Sequence, residues 1–349
     1  MKPRNSARPT RLASRHISDL TPRQRQVLEL LVRQFLATAR PVASQALAVE
    51  GGFAWAPATL RQAMNELEDL GLLEQPHAAA GRVPTDRGYR LFVDALEAPL
   101  LLSSDERETI DRVLDASARD VEQILTQVSR VLAELSAQVG FALAPALDDA
   151  ELSGLELVPL AARRALLVLA LGDGPVRPVT VELESPLGRD ELARVASLLR
   201  ERLLGHTLRE VRRRLAGDEA LVRDGAVALV AAAVQTAIAF AGRPGVFVGG
   251  TVHVARHPEF REAQSLRTVL DLIDRSEPWR DLVHGELPGL AVTIGREHGR
   301  PEWAHLSLVS FRLPGPGDAS IGLLGPRRMD YARAMGLVDY IGRRLPSYL

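Results

Sequence analysis

The chain has 349 residues and not one cysteine. A disulfide framework, a thiolate metal site and a cysteine nucleophile are therefore excluded, and the absence suits a reducing compartment. The basic N-terminus lacks a signal-peptide apolar core. No stretch has the roughly 20 strongly apolar residues of a membrane span. The longest uncharged run, Gly225 to Gly242, contains Gln235 and Thr236 and is rich in Ala and Val; it reads as a buried helix. There is no Walker-type glycine loop, no HExxH pair, and nothing that brings Ser, His and Asp together. Hydrolase, kinase and protease activities are set aside on that ground, and the expectation is a protein that is not an enzyme. His253, His257 and Glu259 invite a metal reading by their short spacing, but no fourth ligand or supporting motif accompanies them. We therefore expect no metal site, no cofactor, no membrane association and a cytoplasmic location.

What the chain does have is an uneven charge. Its formal net charge is −1, yet residues 1–95 carry 13 Lys/Arg against 9 Asp/Glu, while the rest carry 30 against 35. The first 25 residues hold Lys2, Arg4, Arg8, Arg11, Arg15, Arg23 and Arg25 against Asp19 alone. A basic end on an acidic body suits a nucleic-acid-reading head on a protein-binding body. A solubilising tail accounts for the charge equally well.

Residues 1–19 read as a flexible basic arm. Thr21-Pro22 then caps and opens a helix, with Val27, Leu28, Leu31, Phe35 and Leu36 as its apolar stripe, ending near Ala39-Arg40 before Pro41. A short second helix covers Ala43 to Val49 and stops at Gly51-Gly52. A third starts at Pro57, presents Leu60, Met64 and Leu67 on one face, and ends at Gly71. Its opposite face carries Ala58, Thr59, Arg61, Gln62 and Asn65 near the helix start. A recognition helix entering the major groove needs such residues: Arg for guanine, Gln or Asn for adenine, and a methyl group for thymine. Leu72 to Gln75 and Arg82 to Thr85 then flank a turn over Pro76 to Gly81, and Arg82 can reach a phosphate. The order is that of a winged helix over residues 20–95. A plain helical adaptor domain shares this pattern.

The body starts after the Ala98-Pro99 break. Ser103 with Glu106 forms a capping box for one long helix. Its stripe is Ile110, Leu114, Ser117, Val121, Ile124, Val128, Val131 and Leu135, a heptad pattern that fits packing on its own domain or pairing across a dimer. Residues 154–184 read as a hairpin, with Ala165–Leu171 and Val176–Leu183 joined at Gly172-Asp173-Gly174. Residues 189–241 read as helices, including Glu201 to Leu215 and Ala220 to Phe240. Arg212-Arg213-Arg214 is either a second DNA patch or a solvated helix face. Strands are expected at Leu290–Ile294, Trp303–Phe311 and Ile321–Leu324, a Gly/Pro loop at Leu313–Ser320, and a last helix over Pro326–Arg344.

Several of these runs resemble the HrcA family of bacterial heat-inducible transcription repressors. The resemblance is carried by Pro41-Val42-Ala43-Ser44-Gln45-Ala46-Leu47, by Ala58 through Glu68, and above all by Gly71 through Arg90. It continues at Val246 to Thr251, at Pro258-Glu259-Phe260, at Ile294-Gly295-Arg296-Glu297-His298 and at Gly322 through Tyr331, spanning roughly residues 20–345. Ala56 stands where the family usually has Ser, and Ala78-Ala79 where it tends to have Thr-Ser. Both changes remove hydrogen-bonding hydroxyls.

The resemblance implies an α+β multidomain protein with an N-terminal winged helix-turn-helix, a GAF-like domain and an inserted α/β dimerisation domain. Placed on this chain, the linker helix and GAF-like domain take 96–187 and 288–349, with GAF-like strands at 160–187 and 288–325, and the insertion takes 188–287. It further implies a homodimer that represses chaperone operons of the groE and dnaK type by binding double-stranded DNA at an inverted repeat, the CIRCE operator, under the influence of the GroEL chaperonin. Ser44, Ala58, Thr59, Arg61, Gln62, Asn65, His77 and Arg82 are the DNA-binding candidates. Two other functions are weighed beside this one: a winged-helix regulator controlled by a small ligand in the GAF-like domain, and a helical scaffold that does not bind DNA.

Overall fold

The computed structural model describes residues 20–50, 55–77, 80–96, 98–117, 121–144, 149–172, 176–217, parts of 227–238, 245–261, 263–274, 277–283, 288–314 and 319–348. The basic arm, Gly51-Gly52, Ala78-Ala79 and Asp173-Gly174 lie outside the described residues. The chain forms an α+β protein with two compact units. One comprises residues 1–141, 248–312 and 321–349; the other comprises 142–247 and 313–320. Among the described residues no helix is long and apolar enough to cross a membrane.

The larger unit opens with α1 (Pro22–Thr38), α2 (Ser44–Glu50) and α3 (Pro57–Asp69). Thr21 caps α1 as its sequence predicts: the Gln24 amide donates to Thr21 Oγ1 at 3.3 Å, and the Thr21 amide donates to Gln24 Oε1 at 2.9 Å. Val27, Leu28 and Leu31 of α1 are buried, as are Leu60, Met64 and Leu67 of α3. Each such burial contributes about 1.5–3 kcal/mol, which is why two short helices hold their angle. Gly71, at φ +71°, ends α3 and turns the chain. A two-stranded antiparallel hairpin follows, β1 (Leu73–Glu74) against β2 (Val83–Pro84). An antiparallel bridge between Val42 and Arg82 ties it to the segment before α2. The next helix, α4 (Asp86–Asp94), is not foreseen by the pattern analysis. Thr85 caps it, accepting from the Gly88 amide at 3.1 Å, and Tyr89, Leu91, Phe92 and Val93 are buried.

The expected single helix through the heptad stripe is two helices, α5 (Ser104–Ser117) and α6 (Val121–Ser136). Ser103 and Glu106 form the capping box, with the Ser103 amide donating to Glu106 Oε2 at 2.9 Å. Ile110, Leu114, Ile124, Val128 and Val131 are buried within the chain itself, so this part of the stripe packs on its own domain, while Val121 and Leu135 are half-buried. A five-stranded sheet has the order β7 (Val246–Gly249), β3 (Val139–Leu143), β10 (Ser320–Pro326), β9 (Leu306–Arg312), β8 (Gly289–Ile294). β8 and β9 are antiparallel, with Leu290 opposite Phe311 and Val292 opposite Val309. Every residue of β10 and nearly every residue of β9 is buried, so these strands are covered on both faces. The last helix, α11 (Tyr331–Arg344), starts after the Pro326–Asp330 bend and not at Pro326; Ala334, Leu337, Val338 and Ile341 are buried. Helices α9 (Ala263–Asp274) and α10 (Glu277–Leu282) complete the unit. Trp279 stacks on Phe141 of β3, ring centroids 4.8 Å apart, and its indole N–H donates to the Leu272 carbonyl at 2.7 Å.

The smaller unit corrects the expected grouping of strands. Residues 154–184 are not a simple hairpin: β4 (Leu152–Ala161), β5 (Arg164–Leu171) and β6 (Val176–Glu182) form a three-stranded antiparallel sheet of their own. They do not share a sheet with strands 289–326. Alternation explains the packing. Leu155, Leu157, Leu167, Leu169 and Val181 face inward against Leu192, Val195, Leu199 and Leu203 of α7 (Arg189–Leu203) and Leu208, Val211 and Leu215 of α8 (Leu208–Gly217). The expected continuous helix from Glu201 to Leu215 is broken at Leu204–Thr207, where Thr207 and Glu210 form a second capping box with bonds of 3.1 and 3.3 Å. Of the expected Ala220–Phe240 helix, Val227, Val230, Val234 and Ile238 are helical and buried in this core; Ala220 and Phe240 lie outside the described residues. Arg213 and Arg214 are exposed between buried Val211 and Leu215, the arrangement of a solvated helix face.

Candidate nucleic-acid interface

Helix α3 sorts its side chains by face. Leu60, Ala63, Met64 and Leu67 point into the core, which leaves Ala58, Arg61, Gln62 and Asn65 exposed and Thr59 half-buried. The first half of the helix carries Arg61 and no carboxylate. The acids Glu66, Glu68 and Asp69 are confined to the second half. Positive charge thus coincides with the helix start, the end of a helix that attracts anions, although Pro57 has no N–H and the Thr59 and Leu60 amides donate to the Ala56 carbonyl at 2.9 and 3.2 Å. Ala56 is the N-cap and makes no side-chain bond, as the missing Ser hydroxyl implies.

Two of these three acids, Glu66 and Glu68, are engaged. Glu66 accepts from Gln24 Nε2 at 2.8 Å and from Gln62 Nε2 at 3.2 Å. Glu68 accepts from Arg82 Nε at 2.8 Å, and Asn65 Oδ1 accepts from Arg82 Nη2. Arg82 therefore locks the hairpin onto α3. Its side chain is only 14% exposed, and its amide and carbonyl are bonded to Val42 at 2.9 Å each. Of the candidates the sequence offered, Ala58, Arg61, Gln62 and Asn65 share one exposed face. His77 is exposed at the hairpin turn. Ser44, in the first turn of α2, is buried, at 8% exposure.

Sequence reasoning missed a second polar cluster, where α4 meets the five-stranded body. Asp86 Oδ1 accepts from Arg327 Nη1 at 2.7 Å, and Asp86 Oδ2 accepts from the Arg296 amide at 3.0 Å. Arg90 donates to the Glu297 carboxylate and to the Val292 carbonyl, the latter at 2.7 Å. Arg328 donates to Glu259 at 2.6 Å and to the Leu36 carbonyl of α1 at 2.9 Å. Burial disfavours the charged form of Arg327, but the bond and charge of Asp86 outweigh it and raise its pKa. Arg90 is raised in the same way by Glu297 against its own burial. These residues all lie in runs quoted above, but partners some 200 residues apart leave no local signal.

Glu259 is thus held by Arg328, and His257 Nε2 is bonded to the Ala137 carbonyl at 3.2 Å. Among the described residues no group of three His, Asp or Glu side chains is set to hold a metal. His298, where the family segment has Asn, packs edge-on against Trp303.

Comparison with known proteins identifies the family. The profile described as HrcA protein C terminal domain matches residues 122–335. A heat-inducible transcription repressor HrcA of Natranaerobius thermophilus is 32% identical over 337 residues, 94% of this chain and 96% of the relative. One from Desulfitobacterium hafniense is 29% identical over 336 residues, 94% and 97% of the two chains. A crystal structure described as a hypothetical protein superposes with a TM-score of 0.60 at 24% identity, covering 94% of this chain and 98% of its own; it supports the fold. The length and depth of these matches establish that the chain belongs to the HrcA family.

Proposed function

We propose that this protein is a sequence-specific DNA-binding transcriptional repressor, a regulator and not an enzyme. In this reading residues 20–95 are a winged helix, α3 is the reading helix and residues 73–84 are the wing. The observation that carries it is the solvent side of α3, where Ala58, Thr59, Arg61, Gln62 and Asn65 gather base-reading chemistry N-terminal to the acids Glu66, Glu68 and Asp69. Arg61 pairs with a guanine and Gln62 with an adenine edge. His77 reaches the backbone from the hairpin. Ser44 and Arg82 act from beneath, holding α2 and the wing in place.

The body built on the five-stranded sheet takes the GAF-like role, and the 142–247 unit takes the dimerising role. Antiparallel sheets with helices on one face usually turn polar residues outward. Here Val158, Leu160 and Val176 are exposed instead, a surface suited to a second copy of the chain. The operator is an inverted repeat of the CIRCE type at chaperone promoters, since two symmetric heads require two symmetric half-sites. The GroEL chaperonin raises the fraction of chains able to bind it.

The test is a footprint of the purified protein on the chaperone promoters of its own genome, after mild heating, with and without GroEL, nucleotide and co-chaperonin. Protection of an inverted repeat, with a larger active fraction and an unchanged Kd in the presence of GroEL, is expected. No protected repeat overturns the repressor reading. An active fraction indifferent to GroEL overturns the chaperonin part alone.

A further inference from the structure

Three contacts join the head to the body, and each uses a fork or a backbone group that fixes direction as well as distance. Asp86, in the first turn of α4, receives the Arg327 guanidinium and the Arg296 amide on its two oxygens. Gly295 makes room for that carboxylate: a Cβ there would lie 2.5 Å from it, and the residue sits at φ +55°. One turn on, Arg90 grips Glu297, which also accepts from the Ile294 amide at 2.9 Å. Arg328 reaches the opposite end of the head at the Leu36 carbonyl while held by Glu259. Between these points Tyr89 lies on Tyr331, ring centroids 5.9 Å apart, and the Tyr331 hydroxyl donates to the Arg327 carbonyl at 2.6 Å. A head on a free tether needs none of this. A planar guanidinium held on carboxylate and carbonyl at once defines one orientation.

We infer that these contacts form a clamp that fixes α3 relative to the body, so that Arg327 and Arg328 are positioning residues for operator recognition that never touch DNA. The inference rests on the repressor reading and adds a property to it. Clamping removes the head's own freedom on its body, so a dimer selects the spacing between half-sites more narrowly than tethered heads would, as well as their sequence. Tethered heads would accept a range of spacings.

The experiment measures full-length protein on the inverted repeat with its natural spacer and with spacers changed by about two to four base pairs. Wild type should lose at least tenfold in affinity when the spacing changes. Asp86→Ala, Arg327→Ala and Gly295→Ala should each bring that ratio at least threefold closer to one. The double variant D86A/R327A should match D86A, because losing Asp86 already removes the Arg327 interaction together with the Arg296 one. Variants that lose affinity in equal proportion on every spacer, or that keep the wild-type ratio, overturn the clamp. Arg90→Lys, which keeps the charge without the two-point grip on Glu297, should also flatten the ratio and guards against a variant that fails to fold.

A second measurement needs no DNA. Because the chain has no cysteine, Gln26→Cys accepts a single dye on the exposed side of α1. Its anisotropy decay should follow the body in wild type and gain a fast component in R327A; identical decays overturn the clamp. If wild type binds no inverted repeat but the decays differ, the repressor reading fails and the clamp stands.

Discussion

Arg61 on α3 and Arg327 after β10 carry the same side chain in opposite circumstances. Arg61 is exposed and has no bonded partner among the described residues. Arg327 is bonded to Asp86 and two-thirds withdrawn from water. The same contrast holds for their surroundings. On α3 no carboxylate stands in the first half of the helix beside Arg61, while at the junction carboxylate, amide, carbonyl and guanidinium answer one another. An unpaired cation keeps its interaction for a ligand; a paired one defines geometry. Arginine content alone does not separate reading surfaces from joints, but the partner of each arginine does.

The comparison can be broken from the junction side first. Tyr89→Ala removes a side chain that is 2% exposed and should cost about 3–5 kcal/mol of stability by chemical denaturation. A loss below about 1 kcal/mol would mean the junction is looser than its packing implies. On the open side, Arg61→Ala should leave Tm unchanged and cost about 1–3 kcal/mol of discrimination between the operator and a guanine-substituted repeat. Arg82→Ala, by contrast, should weaken specific and scrambled duplexes alike, since it frees the hairpin from Glu68. Binding titrations at several salt concentrations distinguish the two; a change in sequence preference with R82A and none with R61A would reverse the roles.

Smaller changes sharpen the contrast. Ala56→Ser supplies the hydroxyl that the start of α3 lacks and should stabilise by about 0.5–2 kcal/mol in thermal unfolding. Tyr89→Phe should be neutral or slightly stabilising, because the buried Tyr89 hydroxyl has no hydrogen-bond partner among the described residues. The smallest effect is a pH slope. Burial lowers the His257 pKa below 6.5, against the opposing bond to Ala137 and the charge of Glu259, with Arg328 and His253 reinforcing burial. The unfolded chain then binds the proton more readily, so this part of the stability is complete above about pH 6.5 and falls as pH drops below it. His257→Gln should flatten the dependence of Tm between about pH 7 and pH 5.

Local rules carried the sequence reading a long way. The caps at Thr21 and Ser103, the faces of α1 and α3, the hairpin of residues 73–84 and the strands β5, β6, β8 and β10 all follow from spacing and turn residues. The failures have physical causes. α4 is nine residues with Gly88 inside it, and its stability comes from burying Tyr89 and Phe92 rather than from propensity. β3 follows α6 with no Gly or Pro signal between, the reversal being made by Ala137 at φ +56°. β4 holds Pro159, which weakens its strand pattern. Which strands share a sheet is set by pairings across long stretches of chain, and no local period encodes them. The same is true of the candidate site: the exposed face of α3 follows a local period and is legible, whereas the pairs Asp86 with Arg327 and Arg90 with Glu297 are not.

The neighbouring positions of β3 and β7 bear on how this chain folds. Roughly a hundred residues separate the end of one from the start of the other, yet the Ala144 amide donates to the Gly245 carbonyl at 2.8 Å just beyond them. Closing so long a loop from an unstructured chain costs about 3 kcal/mol more than closing a handful of residues. A chain that first folds the 142–247 unit brings those two ends together and escapes most of that entropy, so β7 finds β3 as if across a tight turn. A chain in which that unit has melted faces the full search, and its central sheet waits on a long-range encounter during which β9 and β10, apolar on both faces, stay uncovered. The order of folding events, and not only the final contacts, thereby links the integrity of the 142–247 unit to the number of chains whose central sheet is assembled.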